Sequence, residues 1–442
     1  MKIKKKWIIL LVALALVFTI TACGNPGESV SKQSDDSTKN SKTTENTPSK
    51  KNVTLSFLSF EEAAIRDQYE VKFTEYAETS GIQIEISTSP VDQFPTILQT
   101  RVASGDAPDI SNTWPGLSNL FVYARAGHLL DLSGQSWAPY LIDSVKTTVS
   151  VDGKVYGLPM GVDAIGVIYR KDLFKELGLE IPQTYEDFLT LCEKIKAAGK
   201  IPIAVGAKTD WAPQFIPDYT FCNNILYSKD PEWDNKLLRG EVSFSTTPEW
   251  KQVFEMYMDL IEKEYINKNP LGIDREQSIQ MLVKGDALMM VDGSWIVSDY
   301  PDPDTAQHVG MFAMPAPAGM QTTVPVGTGT VIQAFEKTKY PDEVKAALEY
   351  MASKEVIMSL VYGKRMSAFT NMDTNVPEGI KEIFPALQEA SYPFTNITWA
   401  NGIQNALIKG YQEVMTGKSI DDMLKDVDAV ATRSIEEFNK NN

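Results

Sequence analysis

The sequence predicts an α/β protein built as two lobes. Short apolar, strand-like runs alternate along the chain with amphipathic helical segments, which is the pattern of an α/β fold. The region from residue 52 onward is about 390 residues long, which is too long for one hydrophobic core and natural for two. Inside it, residues 153–174 contain an apolar run bounded by Gly and Pro, as expected for a strand covered on both faces.

The first third of this region predicts strands followed by helices. A strand over 53–58 leads to Glu61 and Glu62, and a helix over 63–80 follows them and stops at Gly81. Ligands of open α/β sheets bind at the carboxyl ends of the strands. The next strand end, over 111–114, supplies Asn112 and Trp114, so these polar and aromatic side chains are candidates for a site.

Residues 153–174 predict two short strands, 156–160 and 164–169, with a crossing point at Gly161. Asp163 is a single carboxylate inside this apolar run. A buried carboxylate needs polar partners, which either the protein or a bound polar ligand supplies. Both interpretations of Asp163 remain open from the residue type alone.

The later part of the chain predicts further strand ends and helices. Thr184 is a good N-cap for a helix that ends at Gly199, because Asp187 follows three residues later. Strands over 201–205 and 287–291 lead into two more polar and aromatic pairs, Asp210-Trp211 and Ser294-Trp295. Amphipathic or apolar segments predict the remaining helices over 250–264, 275–283, 402–415 and 420–438.

The N-terminus predicts export and a membrane anchor. Residues 1–22 have a lysine-rich start followed by an apolar stretch of signal-peptide length, short for a permanent membrane span. They end before Cys23 in a sequence that resembles the bacterial lipoprotein box, which implies lipidation of Cys23. Residues 23–51 are then the lipidated Cys and a polar linker without aromatic residues, which we expect to be disordered. Such an anchor implies a protein held on the extracellular face of a cell membrane, as in Gram-positive cells.

Charge and composition exclude several other functions. The formal net charge is −16, which argues against nucleic acid as a partner because phosphate binding needs a basic patch. The two histidines, His128 and His308, lack zinc-site spacing, and no GxSxG motif is present. We therefore predict no enzyme activity, no cofactor and no metal. Cys192 and Cys222 either form a disulfide or pack as free thiols, and the second arrangement is favoured.

Four segments resemble the extracellular solute-binding proteins of ABC transporters, in the sugar-binding branch that includes maltose-binding protein. They are the runs GKVYGLPMGVDAIGVIYRKDLF, SGDAPDI, KGDALMMVDGSW and VPVGTGTVIQAF. The resemblance implies a two-lobe periplasmic-binding-protein-like (type II) fold with three inter-lobe crossovers and a ligand in the cleft. It places the N-terminal lobe at 52–161 plus 328–365 and the C-terminal lobe at 162–327 plus 366–442.

The chemistry of the candidate residues agrees with a sugar ligand. Sugar C–H faces stack on aromatic rings, and sugar hydroxyls hydrogen-bond to planar polar side chains. Trp399, which precedes a helix in the last third of the chain, matches a sugar-stacking aromatic of the family. The partners implied are a sugar or oligosaccharide and an ABC permease, with the protein as a monomer. A same-fold binder of a peptide or polyol phosphate, and a secreted carbohydrate-active enzyme, remain alternatives. The candidate ligand-binding residues are Glu61, Glu62, Asn112, Trp114, Asp163, Asp210, Trp211, Trp295, Arg365 and Trp399.

Overall fold

Strands and helices alternate through most of the chain. A computed structural model describes residues 53–61, 63–298 and 300–441. The predicted signal peptide, Cys23, the linker and Glu62 therefore lie outside the described residues. The strands are β1 (Val53–Ser59), β2 (Ile82–Thr88), β3 (Ile110–Thr113), β4 (Ser150–Val151), β5 (Lys154–Val155), β6 (Gly157–Pro159), β7 (Asp163–Arg170), β8 (Ile201–Ala204), β9 (Ala287–Gly293), β10 (Val309–Phe312), β11 (Val324–Gly327), β12 (Val331–Ala334) and β13 (Ser391–Pro393).

The helices begin and end close to where their sequence signals predict. Thr184 caps α6, because its hydroxyl accepts from the Asp187 amide at 3.1 Å and the Asp187 carboxylate bonds back. The helices are α1 (Ala63–Ser80), α2 (Phe94–Ser104), α3 (Leu120–Arg125), α4 (Asp143–Lys146), α5 (Lys171–Glu176), α6 (Tyr185–Ala197), α7 (Trp233–Leu238), α8 (Pro248–Glu262), α9 (Arg275–Lys284), α10 (Trp295–Ser298), α11 (Pro303–Ala306), α12 (Pro341–Met351), α13 (Lys354–Ser359), α14 (Glu378–Lys381), α15 (Phe384–Glu389), α16 (Ile403–Met415) and α17 (Ile420–Asn441).

Shorter helical turns complete the described chain. The sequence patterns above do not predict a helix between β8 and α7, where the chain runs as a 3₁₀ turn and then as two π-helical stretches rich in aromatic and amide side chains. The 3₁₀ turns are Ala138–Tyr140, Ala212–Phe215, Pro270–Gly272, Val361–Lys364 and Thr395–Thr398, and the π-helical stretches are Ile216–Phe221 and Asn223–Tyr227.

Two separate sheets define the two lobes. The first sheet has the strand order β2-β1-β3-β12-β6, and the second has the order β13-β11-β7-β9-β8 with β10 paired to β7. Strands β1, β2 and β3 are parallel, whereas β12 runs antiparallel between β3 and β6. In the second sheet β7 is antiparallel to β9 and β11. The prediction of an α/β chain with two lobes is confirmed.

Each lobe has its own hydrophobic core. In the first lobe, buried residues of the sheet pack with those of α1, α2, α3, α12 and α13. The second lobe has one cluster on each face of its sheet. All eight residues of β7 are buried, which confirms the prediction of a strand covered on both faces. Cys192 and Cys222 are both buried free thiols in the second lobe.

The chain passes between the sheets three times. Residues 160–162 join β6 to β7, and residues 328–330 join β11 to β12. The third passage follows the turn Val361–Lys364. Ala368 and Phe369 still pack in the core of the first lobe, so this passage ends later than the predicted boundary at residue 365. No helix of the described residues is long and apolar enough to cross a membrane.

Candidate functional site

A cavity of about 690 Å³ lies between the two sheets. Its walls come from the loop after β3 in the first lobe, from the turns after β8 and β9 in the second, from the second and third passages, and from Asp163 at the start of β7. This volume is within the range of sites that enclose small organic ligands. Three of the strand ends that the sequence singles out, those of β3, β8 and β9, therefore meet at one place.

Asp163 lies at the base of the cavity, where β7 begins. Its Oδ1 accepts from the Ser294 hydroxyl at 2.8 Å, and its Oδ2 is 3.4 Å from Nη1 of Arg365. Gly329 lies against the same carboxylate, since a Cβ there would be 3.6 Å from Oδ2. Burial raises the pKa of Asp163, while Arg365 and Ser294 oppose that shift. Both interpretations of this residue therefore hold: it has protein partners and it also lines the cavity.

Arg365 connects the cavity to a polar network in the first lobe. Its guanidinium carbon is 4.7 Å from the ring centroid of Tyr362, in a cation–π arrangement. The Tyr362 hydroxyl donates to Oε1 of Glu61 at 2.5 Å, and the Thr330 hydroxyl donates to the same oxygen at 3.3 Å. Glu61 is not among the residues that line the cavity. Its carboxylate holds Tyr362 and Thr330 in place from behind.

Aromatic rings from both lobes line the cavity. Trp114 of the first lobe stacks on Phe60 with a centroid distance of 4.3 Å and an interplanar angle of 5°. In the second lobe Trp211 and Trp295 both pack against Phe215, with centroid distances of 5.8 Å and 5.7 Å. The guanidinium of Arg275 lies 5.2 Å from the Trp211 centroid. Packing against these neighbours fixes the rings in position before any ligand arrives.

One stripe of side chains on helix α16 lines the cavity and is absent from the residues predicted from the sequence. Helix α16 buries Ile403, Leu407 and Tyr411 in the core, and the neighbouring positions Gln404 and Ile408 line the cavity. The Gln404 Nε2 donates to Oε1 of Gln214, another lining residue, at 2.9 Å. The helical period of the buried residues is the signal that could have identified this stripe.

Trp399 is the main correction to the sequence prediction. Its side chain is only 1% exposed and does not line the cavity. Its indole Nε1 donates to Oδ1 of Asp234 at 2.9 Å, and its ring packs against Trp250 and Phe244 in the second-lobe core. The indole has an internal hydrogen-bond acceptor and aromatic neighbours, so it belongs to the interior of the lobe.

The other candidates divide between the cavity and its surroundings. Asn112 is fully buried in β3, in the interior of the first lobe, and does not line the cavity, because the whole strand is covered. Asp210 lines the cavity and is exposed. The structure therefore brings six of the candidates together and leaves Glu61, Asn112 and Trp399 outside the lining. The six are Trp114, Asp163, Asp210, Trp211, Trp295 and Arg365.

A direct contact between the lobes borders the cavity. The Leu117 N–H donates to the Ile397 carbonyl at 2.7 Å, and the Ser118 hydroxyl donates to the Trp399 carbonyl at 2.7 Å. Gly116, at φ +92°, has no room for a side chain because a Cβ would overlap the Ile397 carbonyl. Ser118 and Ile397 also line the cavity, so this contact ties together two of its walls.

Comparison with known proteins agrees with this architecture. The family model of the bacterial extracellular solute-binding proteins matches residues 62–358. A multiple sugar-binding protein of Streptococcus mutans is 28% identical over 285 residues, which cover 62% of this chain and 66% of the relative. The maltodextrin-binding protein MdxE of Bacillus subtilis is 23% identical over 295 residues, which cover 63% of this chain and 65% of the relative. The chain thus spans about two thirds of the length of the curated relatives it matches.

Solved structures match over most of the described chain. A chitin oligosaccharide binding protein superimposes with a TM-score of 0.75 at 22% identity, covering 86% of this chain and 99% of the other. The structure of RafE in complex with raffinose gives a TM-score of 0.74 at 22% identity, covering 85% of this chain and 98% of the other. These similarities confirm the predicted two-lobe, type II fold.

Proposed function

Because this chain belongs to the bacterial extracellular solute-binding proteins, we propose that it binds a sugar or oligosaccharide in its inter-lobe cavity and delivers it to the permease of an ABC-type importer. The named relatives are sugar-binding proteins, which supports this choice of ligand. In this proposal the permease and the sugar are the partners, and the protein works as a monomer without a catalytic step.

The observation that carries the proposal is the placement of indole rings on both sides of one cavity. Trp114 comes from the first lobe and Trp295 from the second, and both line the space above Asp163 and Arg365. A pyranose ring presents two C–H faces to flat aromatic groups and a rim of hydroxyls to hydrogen-bonding groups. Charged groups make such hydrogen bonds roughly twice as strong as neutral ones. We assign Trp114, Trp211 and Trp295 to stacking and Asp163, Asp210 and Arg365 to the hydroxyls.

The three passages at the base of the cavity provide a mechanism for capture. A ligand that contacts both lobes favours their closed arrangement, because it makes more contacts there than with either lobe alone. The backbone rotations that separate the lobes are confined to few residues near Gly161, Gly327 and 365–367, as in other hinge movements. The closed form is then the species that the permease recognises.

We also propose that the mature protein is anchored at the extracellular face of the cell membrane through lipid on Cys23, which lies outside the described residues. The lysine-rich start, the apolar stretch and the cysteine in the sequence support this anchor. Several acyl chains hold a protein stably at a membrane, whereas a single chain is marginal. Mass spectrometry of the membrane-extracted protein tests it: a Cys23→Ser variant should lack the lipid and appear in the culture medium.

The binding proposal is tested with the soluble domain, residues 52–442. A thermal-shift screen against mono- and oligosaccharides should identify at least one sugar that raises the unfolding temperature, because a ligand that binds only the native state stabilises it by mass action. Isothermal titration then gives the affinity, and small-angle scattering should show a smaller radius of gyration with the sugar. Stabilisation by peptides or polyol phosphates in place of sugars would refute the assignment, and turnover of an oligosaccharide would indicate an enzyme.

A further inference from the structure

The stripe of helix α16 that lines the cavity continues beyond it. Gln404, Ile408, Gln412 and Thr416 follow one another at intervals of four residues, so they lie along the same side of the helix and its C-terminal end. With a rise of 1.5 Å per residue this stripe is about 18 Å long. The first three residues line the cavity between the lobes. The last two line a separate groove of about 410 Å³ on the second lobe.

The groove adjoins the cavity. Lys409 and Gln412 contribute to the lining of both, so a ligand that extends along α16 reaches the groove past these two side chains. At the N-terminal end of α16 the cavity is bordered by the contact of Leu117 with Ile397. A ligand that extends along α16 therefore has its free path toward the C-terminal end of the helix.

The far wall of the groove is held in place by hydrogen bonds. Gln412 Nε2 donates to the Ala207 carbonyl at 3.0 Å, which ties the helix to the chain segment on the other side. The Ala207 N–H donates to the Pro270 carbonyl at 2.9 Å, and the Lys208 N–H donates to the Ile273 carbonyl at 2.9 Å. A groove that is already formed costs less ordering entropy when a ligand enters it.

The groove has the functional groups that a carbohydrate chain needs. Leu271 offers an apolar surface, while Lys208 and Lys409 offer ammonium donors. Glu413 bonds to Lys418 at 2.6 Å and to Lys409 at 3.2 Å, and these lysines lower the pKa of its carboxyl group. The carboxylate charge is thus compensated, and the exposed Lys208 adds a further positive charge that can donate to hydroxyl oxygens.

We propose that this groove is a distal subsite for an oligosaccharide longer than the inter-lobe cavity can hold, with Lys208 and Gln412 contacting the sugar rings that leave the cleft. The proposal rests on the proposed function, since it extends the same binding site. It assigns the preferred ligand to the longer members of an oligosaccharide series. The rings inside the cleft bind as they do for a short sugar, and the groove adds affinity only for the rings beyond them.

The test measures affinity against chain length by isothermal titration. The probes are maltooligosaccharides and chitooligosaccharides from disaccharide to hexasaccharide, together with raffinose and stachyose. We expect affinity to rise with length within the series that binds. Lys208→Ala should weaken the longest member about 3- to 10-fold, the effect of losing one hydrogen bond from a charged donor at an exposed position. The shortest binding member should be unaffected.

Two further variants make the outcome decisive. Thr416→Trp narrows the groove and should remove the gain in affinity with length. Lys229→Ala changes an exposed lysine of the same lobe that lines neither space, and it should bind every member like the wild type. Equal affinity for all chain lengths, or equal weakening of short and long members by Lys208→Ala, would overturn the assignment of the groove as a distal subsite. Either result would leave the proposed sugar binding in the cleft intact. Binding of no saccharide would remove the proposed function and the groove together.

Discussion

The contact between the lobes at Gly116 gives a sharp test of how the cleft works. In a Gly116→Ala variant the new Cβ would overlap the Ile397 carbonyl and lie 2.8 Å from the Ile397 Cα, so the two loops must separate. Separation removes the hydrogen bonds that Leu117 and Ser118 make across the cleft, each 2.7 Å long. A net contribution of about 0.5–1.5 kcal/mol for each bond gives a total of about 1–3 kcal/mol.

This energy should appear as a loss of ligand affinity. A coupling of about 1–3 kcal/mol corresponds to about 5–150-fold in a binding constant. Isothermal titration with the tightest saccharide from the screen measures it directly. The expected result is weaker binding although position 116 does not itself line the cavity, because two walls of the cavity are then no longer held together.

A matched control separates this effect from backbone strain. Gly127 also lies in the first lobe with a positive φ of +70°, but a Cβ there meets no atom within 4 Å. Gly127→Ala therefore introduces a comparable strain, about 1–2 kcal/mol for an L-residue in the left-handed region, without disturbing the contact between the lobes. It should lower stability and leave affinity unchanged. If Gly116→Ala and Gly127→Ala bind the saccharide equally well, the contact has no role in closure.

Four more substitutions address the interior of the second lobe and the base of the cleft. Trp295→Ala should lower sugar affinity about 10-fold or more with little loss of stability, because buried Trp side chains dominate binding surfaces. Trp399→Phe should lower the free energy of unfolding by about 1–3 kcal/mol and leave affinity unchanged, because it removes a hydrogen bond inside the lobe. Isothermal titration and thermal unfolding of both variants check these two predictions. Arg365→Gln leaves Asp163 buried without its cation, so the free energy of unfolding measured with denaturant should fall by about 3–5 kcal/mol. A variant as stable as the wild type would contradict the stabilising role of the Asp163–Arg365 ion pair. Burial raises the pKa of Asp218 from its usual 3.8 to about 8, so the stability contributed by its neutral form is complete below pH about 4 and is lost as pH rises through about 8. Asp218→Asn should remove this part of the pH dependence of stability. If the unfolding temperatures of the wild type and the variant change equally with pH from acid to alkaline conditions, the prediction is refuted.

The sequence predicts the strands and their carboxyl ends well, and through them much of the cavity. Trp114 and Trp295 follow strands that are buried on both sides, so their position at the sheet edge follows from the topology. Asp163 is found for the same reason, because an isolated carboxylate at the start of a buried strand lies where the chain passes between the lobes.

What the sequence misses depends on which side of a turn or helix faces the partner lobe. Trp399 precedes a helix beside polar residues, and only the folded chain shows that Trp250 and Asp234 surround it. The helical period of α16 identifies Gln404 and Ile408 as positions beside its buried face, but it does not show that the cleft lies above them. The carboxyl end of each strand can be identified from the local sequence, whereas the neighbour of an exposed side chain depends on tertiary structure.

The placement of β12 between β3 and β6 has a consequence for the order in which the protein assembles. This strand fills the gap between β3 and β6, yet it is separated from β6 in the chain by the whole segment that forms most of the other sheet. Until residues 331–334 are present, β3 and β6 each expose an unpaired edge, and such edges invite association with other chains. We expect a fragment that stops at residue 160 to remain unfolded or to aggregate. Pairing between strands so far apart in the chain also slows refolding, because the loop between them must close before the first sheet is complete.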